Sequence, residues 1–359
     1  MGQNWLGNRS QRVTIRGSPS EWRPVTSGVP QGSVLGPILF LLYINDIDDN
    51  LKSHIIKFAD DTKIYRPIAR ENDATELQKD IDTILAWANK WQMKINESKC
   101  KIVHMGSKNP NYEYKMDNQL LKSSPGEKDL GVFITNDLNF DHHIAKSVKK
   151  ANQILGMIAR TYDDKSKKNI LQLYKSLVRP HLEYASQLWR PYKQTQINMI
   201  EKVQRRATKM IKGLSQTSYE ERLQKCQLLS LEMRRLRADL IQTFKIMNNI
   251  DDLPIEELFS SSKNTKTRGH RFKLFKRHCR LDIRKYFFSQ RVANEWNSLP
   301  GEVVNSVTVN QFKTRIRPLF EKHRDHTISQ RRLSFPILTA SGSHASPFAG
   351  LGESRLKHA

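Results

Sequence analysis

Cysteine is scarce in this chain of 359 residues. Only Cys100, Cys226 and Cys279 occur, far apart in sequence. Neither a disulfide framework nor a Cys-rich zinc site is indicated, and a reducing intracellular compartment, nucleus or cytoplasm, is the expectation. Long apolar runs are missing too. The most apolar stretch, VLGPILFLLYI (34–44), falls short of the about 20 residues that a bilayer-spanning helix needs, so no membrane partner is expected. The opening MGQNWLGNRS has no apolar h-region, which argues against a signal peptide. Its sixth residue is not the Ser/Thr of the myristoylation pattern.

Acidic residues are short in one part only. Residues 1–140 hold 18 Lys/Arg against 17 Asp/Glu, while the remainder holds 42 against 19, a net of +23. The first part is balanced and the second is built to meet a polyanion, with nucleic acid ahead of an anionic membrane surface.

What is present reads as two styles of chain. Residues 11–26 suggest a hairpin turning at Gly17-Ser18-Pro19-Ser20. SGVPQGSVLGPILFLLYINDI (27–47) carries apolar residues on every face from Val34 to Ile47, which predicts a buried helix with Pro37 in its first turn. An amphipathic helix is predicted at about 73–92, with Leu77, Ile81, Ile84, Leu85, Ala88 and Trp91 on one stripe. A turn and strand (93–105), a hairpin around Asp117-Asn118 and a strand over 128–135 follow. Together they predict a small antiparallel sheet with helices on one face.

From about 140 the pattern is helical. Ile144, Val148, Ala151, Leu155 and Ile158 form one stripe; Ile197, Ile200, Val203, Ala207 and Met210 form another. Lys202, Arg205, Arg206 and Lys209 face outward on the second helix, Gly213 marks its stop, and Ser218 with Glu221 forms a capping box for the next. Residues 266–285 hold nine Lys/Arg and one acid, with Phe272 and Phe275 among them. The tail from about 328, rich in Ser, Gly and Ala, is expected to be disordered. There is no internal repeat.

One stretch carries chemistry. HIIKFADDTKIY (54–65) places Asp60 and Asp61 side by side in a tight turn between two strands. Adjacent carboxylates repel unless water or a cation offsets them. A pair held at a rigid turn suits metal-assisted phosphoryl transfer, in which two Mg²⁺ ions about 4 Å apart stabilise the attacking and leaving oxygens. Alone the pair is weak evidence, because turns favour Asp anyway.

The order of motifs is more specific. SGVPQGSVLGPILFLLYINDI, KFADD, NESKCKIVHMG and KDLGVFI, then HLEYASQLWRPY and LPGEVVNSVTVNQFKTRIR, together resemble the reverse transcriptases of non-LTR retrotransposons of the LINE-like, jockey or CR1 type. The likeness runs from about residue 5 to 325. It implies an α+β fold, with a partial right-hand polymerase palm over 1–139, a helical thumb or connection-like region over 140–260, a basic segment over 261–327 and the tail 328–359.

The resemblance implies these roles. Asp60 ligates metal, and Asp61 assists it or packs beside it. Gln31 and Gly32 lie where template and nucleotide meet the helix. Lys99 protonates or balances the leaving pyrophosphate, or is simply an exposed lysine in a turn. Phe58 touches the nucleotide sugar, or packs into the core. KDLGVFI corresponds to a primer-gripping strand, in which Leu130, Gly131 and Val132 read as sheet core rather than direct primer contacts. The implied cofactor is Mg²⁺, two ions in the intact family, and the implied partners are an RNA template, a DNA primer or target and a dNTP. Lys202, Arg205, Arg206, Lys209, Arg271, Lys273, Lys276 and Arg277 are the candidate nucleic-acid contacts.

One departure matters. The family's first metal-binding aspartate lies on a strand upstream of the PQG segment. No acid in residues 1–26 stands in such a context, and Asp46 reads as a helix-end or hydrogen-bonding residue. The expectation is therefore an N-terminally truncated polymerase copy, inactive as this isolated chain. The alternatives are a non-catalytic nucleic-acid-binding remnant or an unstable pseudogene product.

Overall fold

The computed structural model describes residues 7–29, 32–261 and 269–322. Gln31 and the tail 328–359 lie outside the described residues. The chain divides into two compact units, one of residues 1–128 and 134–138, the other of residues 129–133 and 139–359.

The first unit mixes helices with short strand pairs. Thr14–Ile15 pairs with Ser18–Pro19, and Ser10–Gln11 with Arg23–Pro24. The turn falls at Arg16–Gly17, both at positive φ (+49° and +87°), one step before the expected Gly17–Ser20 turn. Two consecutive left-handed residues match the twist of hairpin strands, and that geometry fixes the position.

The helix predicted to be buried spans Leu35–Tyr43 and is largely exposed. Gly36 alone is buried in it, while Val34 is 84% exposed and Leu42 70%. Contact is made by Phe40 and by Ile44 and Ile47 just beyond its end, which pack on Ile84, Ile55 and Ile64. Hydropathy reports which surface gains from burial, not whether a partner is at hand.

The helix Glu71–Lys90 buries Ala74, Leu77, Ile81, Ile84 and Ala88, each large side chain contributing about 1.5–3 kcal/mol. Trp91 leaves the predicted stripe and is 43% exposed, because the helix ends one residue earlier. Asp73 closes the helix start by accepting the N–H groups of Ala69 and Arg70, both at 3.0 Å. These bonds hold its carboxyl below the usual range. Gln78 ties the helix to the next hairpin by bonding both the N–H and the carbonyl of Lys115. That hairpin, Lys115–Met116 with Gln119–Leu120, turns at Asp117–Asn118 as expected, with Asp117 at φ +53°.

The strands form six two-stranded pairings among the described residues, not one antiparallel sheet. One pairing, Lys101–Ile102 with Lys122–Ser123, is parallel. The expected single strand over 128–135 is itself a hairpin, Gly126–Asp129 with Val132–Thr135. Leu130 and Gly131 form its turn at φ +42° and +89°. Of the three residues read as sheet core there, only Val132 is buried; Leu130 is 40% exposed.

The second unit is helical apart from its share of that hairpin. Both predicted stripes appear, on Asp141–Thr161 and Gln194–Lys209, and Ser218 caps Tyr219–Cys226 by accepting the N–H of Glu221. Leu236, Leu240 and Phe244 of Leu231–Met247 join Phe288, Val292, Trp296, Phe312, Ile316 and Phe320 in one core.

Candidate functional site

His54–Phe58 and Asp61–Tyr65 pair antiparallel in a five-residue register that sets Phe58 opposite Asp61. The turn is therefore Ala59–Asp60, and Asp61 opens the second strand. This corrects the reading of both aspartates as turn residues. Ala59 carries the positive φ, +51°, at a cost of about 1–2 kcal/mol for a residue with a Cβ.

The hairpin is anchored on three sides. Ile55 and Ile64, opposite one another in the register, pack with Ile44, Ile47 and Ile84. Lys57 donates to Asp48 Oδ1 at 2.6 Å and to the Asn45 carbonyl at 2.9 Å, which holds the Asp48 carboxyl below its usual range. Ahead of the first strand, Lys52 and Ser53 donate their N–H groups to the buried Asp80 carboxylate. By the two-residue alternation of strands, Ile56 and Phe58 fall on the other face, 48% and 59% exposed.

At the tip, Asp60 and Asp61 are exposed, and neither carboxylate has a hydrogen-bond or ion-pair partner among the described residues. No group of three metal-ligating side chains forms among those residues. Phe58 stands exposed beside the tip, so its core reading does not hold. Lys99 ends the short turn Glu97–Lys99, exposed and without a carboxylate partner among the described residues. Gly32 has φ +80° and nothing within 4 Å of where a Cβ would stand, so its conformation, not crowding, calls for glycine. Asp46 accepts a hydrogen bond from Trp87 Nε1 at 2.9 Å and is the hydrogen-bonding residue expected.

In the second unit Lys202, Arg205, Arg206 and Lys209 are exposed on Gln194–Lys209, and none is ion-paired among the described residues. Arg205 lies over the Tyr219 ring at 4.1 Å, and Arg206 reaches Asn152 at 3.4 Å. The opposite face of this helix holds buried polar groups that the periodicity did not reveal. Gln204 links Tyr174 (2.9 Å) and Tyr219 (2.9 Å), and Glu201 accepts the Leu231 N–H at 3.0 Å. Burial pushes the Glu201 carboxyl up and pulls the nearby Arg235 guanidinium down to about 10. Arg271, Lys273, Lys276 and Arg277 lie on a non-helical segment, Lys273 half-buried and the other three exposed.

The segment HLEYASQLWRPY holds a network of ion pairs and hydrogen bonds. Glu183 pairs with Arg234 and Arg179. The Tyr184 hydroxyl donates to the Leu130 carbonyl at 2.8 Å, Trp189 Nε1 donates to the Tyr184 carbonyl at 2.8 Å, and Arg190 pairs with the fully buried Asp239 at 2.9 Å. Asp239 also takes Arg291 at 3.0 Å. The available signal for Asp239 was a charge set within the stripe Leu236, Leu240, Phe244. No helix among the described residues is long and apolar enough to cross a membrane.

Residues 2–158 match the family described as reverse transcriptase (RNA-dependent DNA polymerase). The chain is 26% identical over 224 residues to the "RNA-directed DNA polymerase from mobile element jockey" of Drosophila melanogaster, covering 59% of this chain and 24% of that protein. It is 29% identical over 227 residues to the "Probable RNA-directed DNA polymerase from transposon X-element" of the same fly, again 59% and 24%. The jockey protein of Drosophila funebris is 29% identical over 226 residues, 58% of this chain and 24% of its own length. The chain thus spans about a quarter of the length of the curated relatives it matches. No solved structure matches it. The aspartate hairpin lies within residues 2–158, the segment that matches the reverse transcriptase family, in a chain similar to the RNA-directed DNA polymerases of mobile elements.

Proposed function

We propose that this chain supplies the carboxylate turn of an RNA-directed DNA polymerase and engages nucleic acid through its second unit. One observation carries the reading. Asp60 and Asp61 stand exposed and unpartnered among the described residues, at the tip of an anchored hairpin inside the family segment. Such a pair of hard oxygen donors fits Mg²⁺, which typically binds one or two carboxylates together with substrate phosphates; Asp60 and Asp61 would hold it. When bound, the cation neutralises charge on the transferring phosphoryl group and favours the attacking hydroxyl. Lys99 offers a positive charge to the pyrophosphate, and Phe58 offers an apolar surface to the nucleotide sugar. The substrates are a dNTP and a DNA primer on an RNA template. The first unit serves as palm, residues 140–260 as a thumb-like grip, and residues 261–327 as a basic extension.

Two carboxylates do not complete a two-metal centre, and no third ligand joins them among the described residues. The isolated chain therefore binds metal without turning over. Water-proton relaxation with Mn²⁺ as the probe tests the site. Binding that disappears in Asp60→Ala/Asp61→Ala supports it, and equal binding by both proteins overturns it.

A further inference from the structure

Residues 271–287 hold seven Lys/Arg and one acid, Asp282, interleaved with Phe272, Phe275, Tyr286 and Phe287. Apolar side chains in so charged a stretch would ordinarily turn inward. Leu274 and Phe288 do so and join the core. Phe272, Phe275 and Phe287 stay outside, 38%, 52% and 37% exposed.

The segment carrying the first two rings is not helical, yet it is held. Trp296 Nε1 donates to the Phe272 carbonyl at 2.8 Å. Asn297 takes the Leu274 N–H and returns a bond to its carbonyl, both at 2.8 Å. The Phe275 N–H donates to the Ser260 carbonyl at 2.7 Å, and Gln290 accepts the Arg277 N–H at 2.9 Å. Backbone positions 272, 274, 275 and 277 are thus pinned to neighbours around a core that includes the fully buried Trp296. The rings project from a fixed strap.

Cations stand over the rings. Arg271 lies 4.8 Å from the Phe272 centroid, Arg284 5.3 Å from Phe287 and Lys285 5.2 Å from Tyr286. Tyr286 stacks on Tyr192 at 4.2 Å with planes 5° apart. Arg271, Arg280, Arg284 and Lys285 have no acidic partner among the described residues.

We propose that this strap is a stacking platform for the unpaired bases of single-stranded nucleic acid. The inference rests on the reading that the second unit binds nucleic acid, and it names the form bound. A surface made only for duplex phosphates needs cations and gives no reason to leave three phenyl rings in water. Bases inside a duplex show edges in the grooves, whereas an unpaired base offers a face that a ring can cover. Alternating ring and cation matches alternating base and phosphate. Fixing the backbone in advance lowers the ordering cost of binding. An anionic bilayer would also attract cations and rings, but interfacial segments separate an apolar face from a charged one, and here the two are interleaved.

The test uses the full chain, a labelled single-stranded oligonucleotide and a duplex of equal length, with binding followed by fluorescence anisotropy. The single strand should bind more tightly than the duplex. Phe272→Ala/Phe275→Ala should weaken single-strand binding by about 10-fold or more and duplex binding by less than about 2-fold, while Phe272→Tyr/Phe275→Tyr should keep the preference. Neutralising Lys202, Arg205, Arg206 and Lys209 to Gln should weaken both forms alike. Phe275→Ala alone, at the most exposed ring, serves if the double variant melts early. Equal losses for both forms, or no loss, would overturn the platform while leaving salt-sensitive nucleic-acid binding in place. No binding to either form would overturn the broader reading with it. Sedimentation with phosphatidylserine vesicles that needs both rings, without any single-strand preference, would assign the strap to membranes and overturn the proposal.

Discussion

The Asp80 carboxylate, 4% exposed in the middle of the helix Glu71–Lys90, accepts the backbone N–H of Ser53 at 2.8 Å. Its other oxygen takes the Lys52 N–H at 3.1 Å. These two bonds fix the loop from which the aspartate strand departs. Asp80→Ala leaves both donors without their acceptor and should cost about 2–4 kcal/mol. Asp80→Asn, which keeps one acceptor, should cost less. Urea unfolding followed by tryptophan fluorescence measures both, and a shift below about 0.5 kcal/mol for Asp80→Ala would contradict the anchoring role.

Polymerase activity of the purified chain should be negligible on poly(rA)–oligo(dT) with Mg²⁺. A single oxyanion-stabilising donor can be worth about 100- to 1000-fold in rate, and the lack of a third metal ligand among the described residues should cost at least as much. Incorporation of dTTP that vanishes in Asp60→Ala would show that another acid completes the site. Asp46 would be examined first, although its carboxylate is engaged by Trp87.

Nucleic-acid binding should fall steeply with salt. With only five phosphates contacted, the affinity for duplex should drop by roughly 500-fold between 50 and 200 mM salt. The net +23 beyond residue 140 is the source of this expectation. Anisotropy titrations at several salt concentrations give the slope directly, and a flat slope would assign the charge to another partner.

Asp239 is fully buried between Arg190 and Arg291. Asp239→Ala leaves two largely buried guanidinium groups without their counter-ion and should destabilise the second unit by about 3–5 kcal/mol. Thermal unfolding by circular dichroism checks it. A variant that melts with the parent would show that water replaces the carboxylate.

Glu76 bridges Lys52 and Lys79, at 2.7 and 2.9 Å, and hydrogen bonds from both lysines hold its carboxyl down to about 2. A depressed acid contributes its stability above its unfolded value and loses it as pH falls through the folded one. Glu76→Gln should therefore be the less stable protein above about pH 4.5 and converge on the parent towards pH 2. The gap should shrink in high salt, because both lysines are well exposed. Urea midpoints across that pH range decide it, and a constant gap would rule the ion pairs out as its source.

Sequence by itself determined the local grammar. The stripe of Asp141–Thr161 was legible because its apolar spacing repeats the helical period. The cap at Ser218 was legible because its partner stands three residues on. The division of charge was a matter of counting. Asp60 and Asp61 were legible only through the order of motifs around them. Tertiary structure decided what depends on residues distant in the chain. It placed the turn at Ala59–Asp60, because the register of Phe58 against Asp61 also has to put Ile55 opposite Ile64 on the apolar cluster. It took Asp80 and Asp239 inside, where backbone donors and two arginines offset the loss of water. It left the apolar helix Leu35–Tyr43 largely uncovered. Periodicity states which side chains gain from leaving water; only the packed chain supplies, or fails to supply, the surface that receives them.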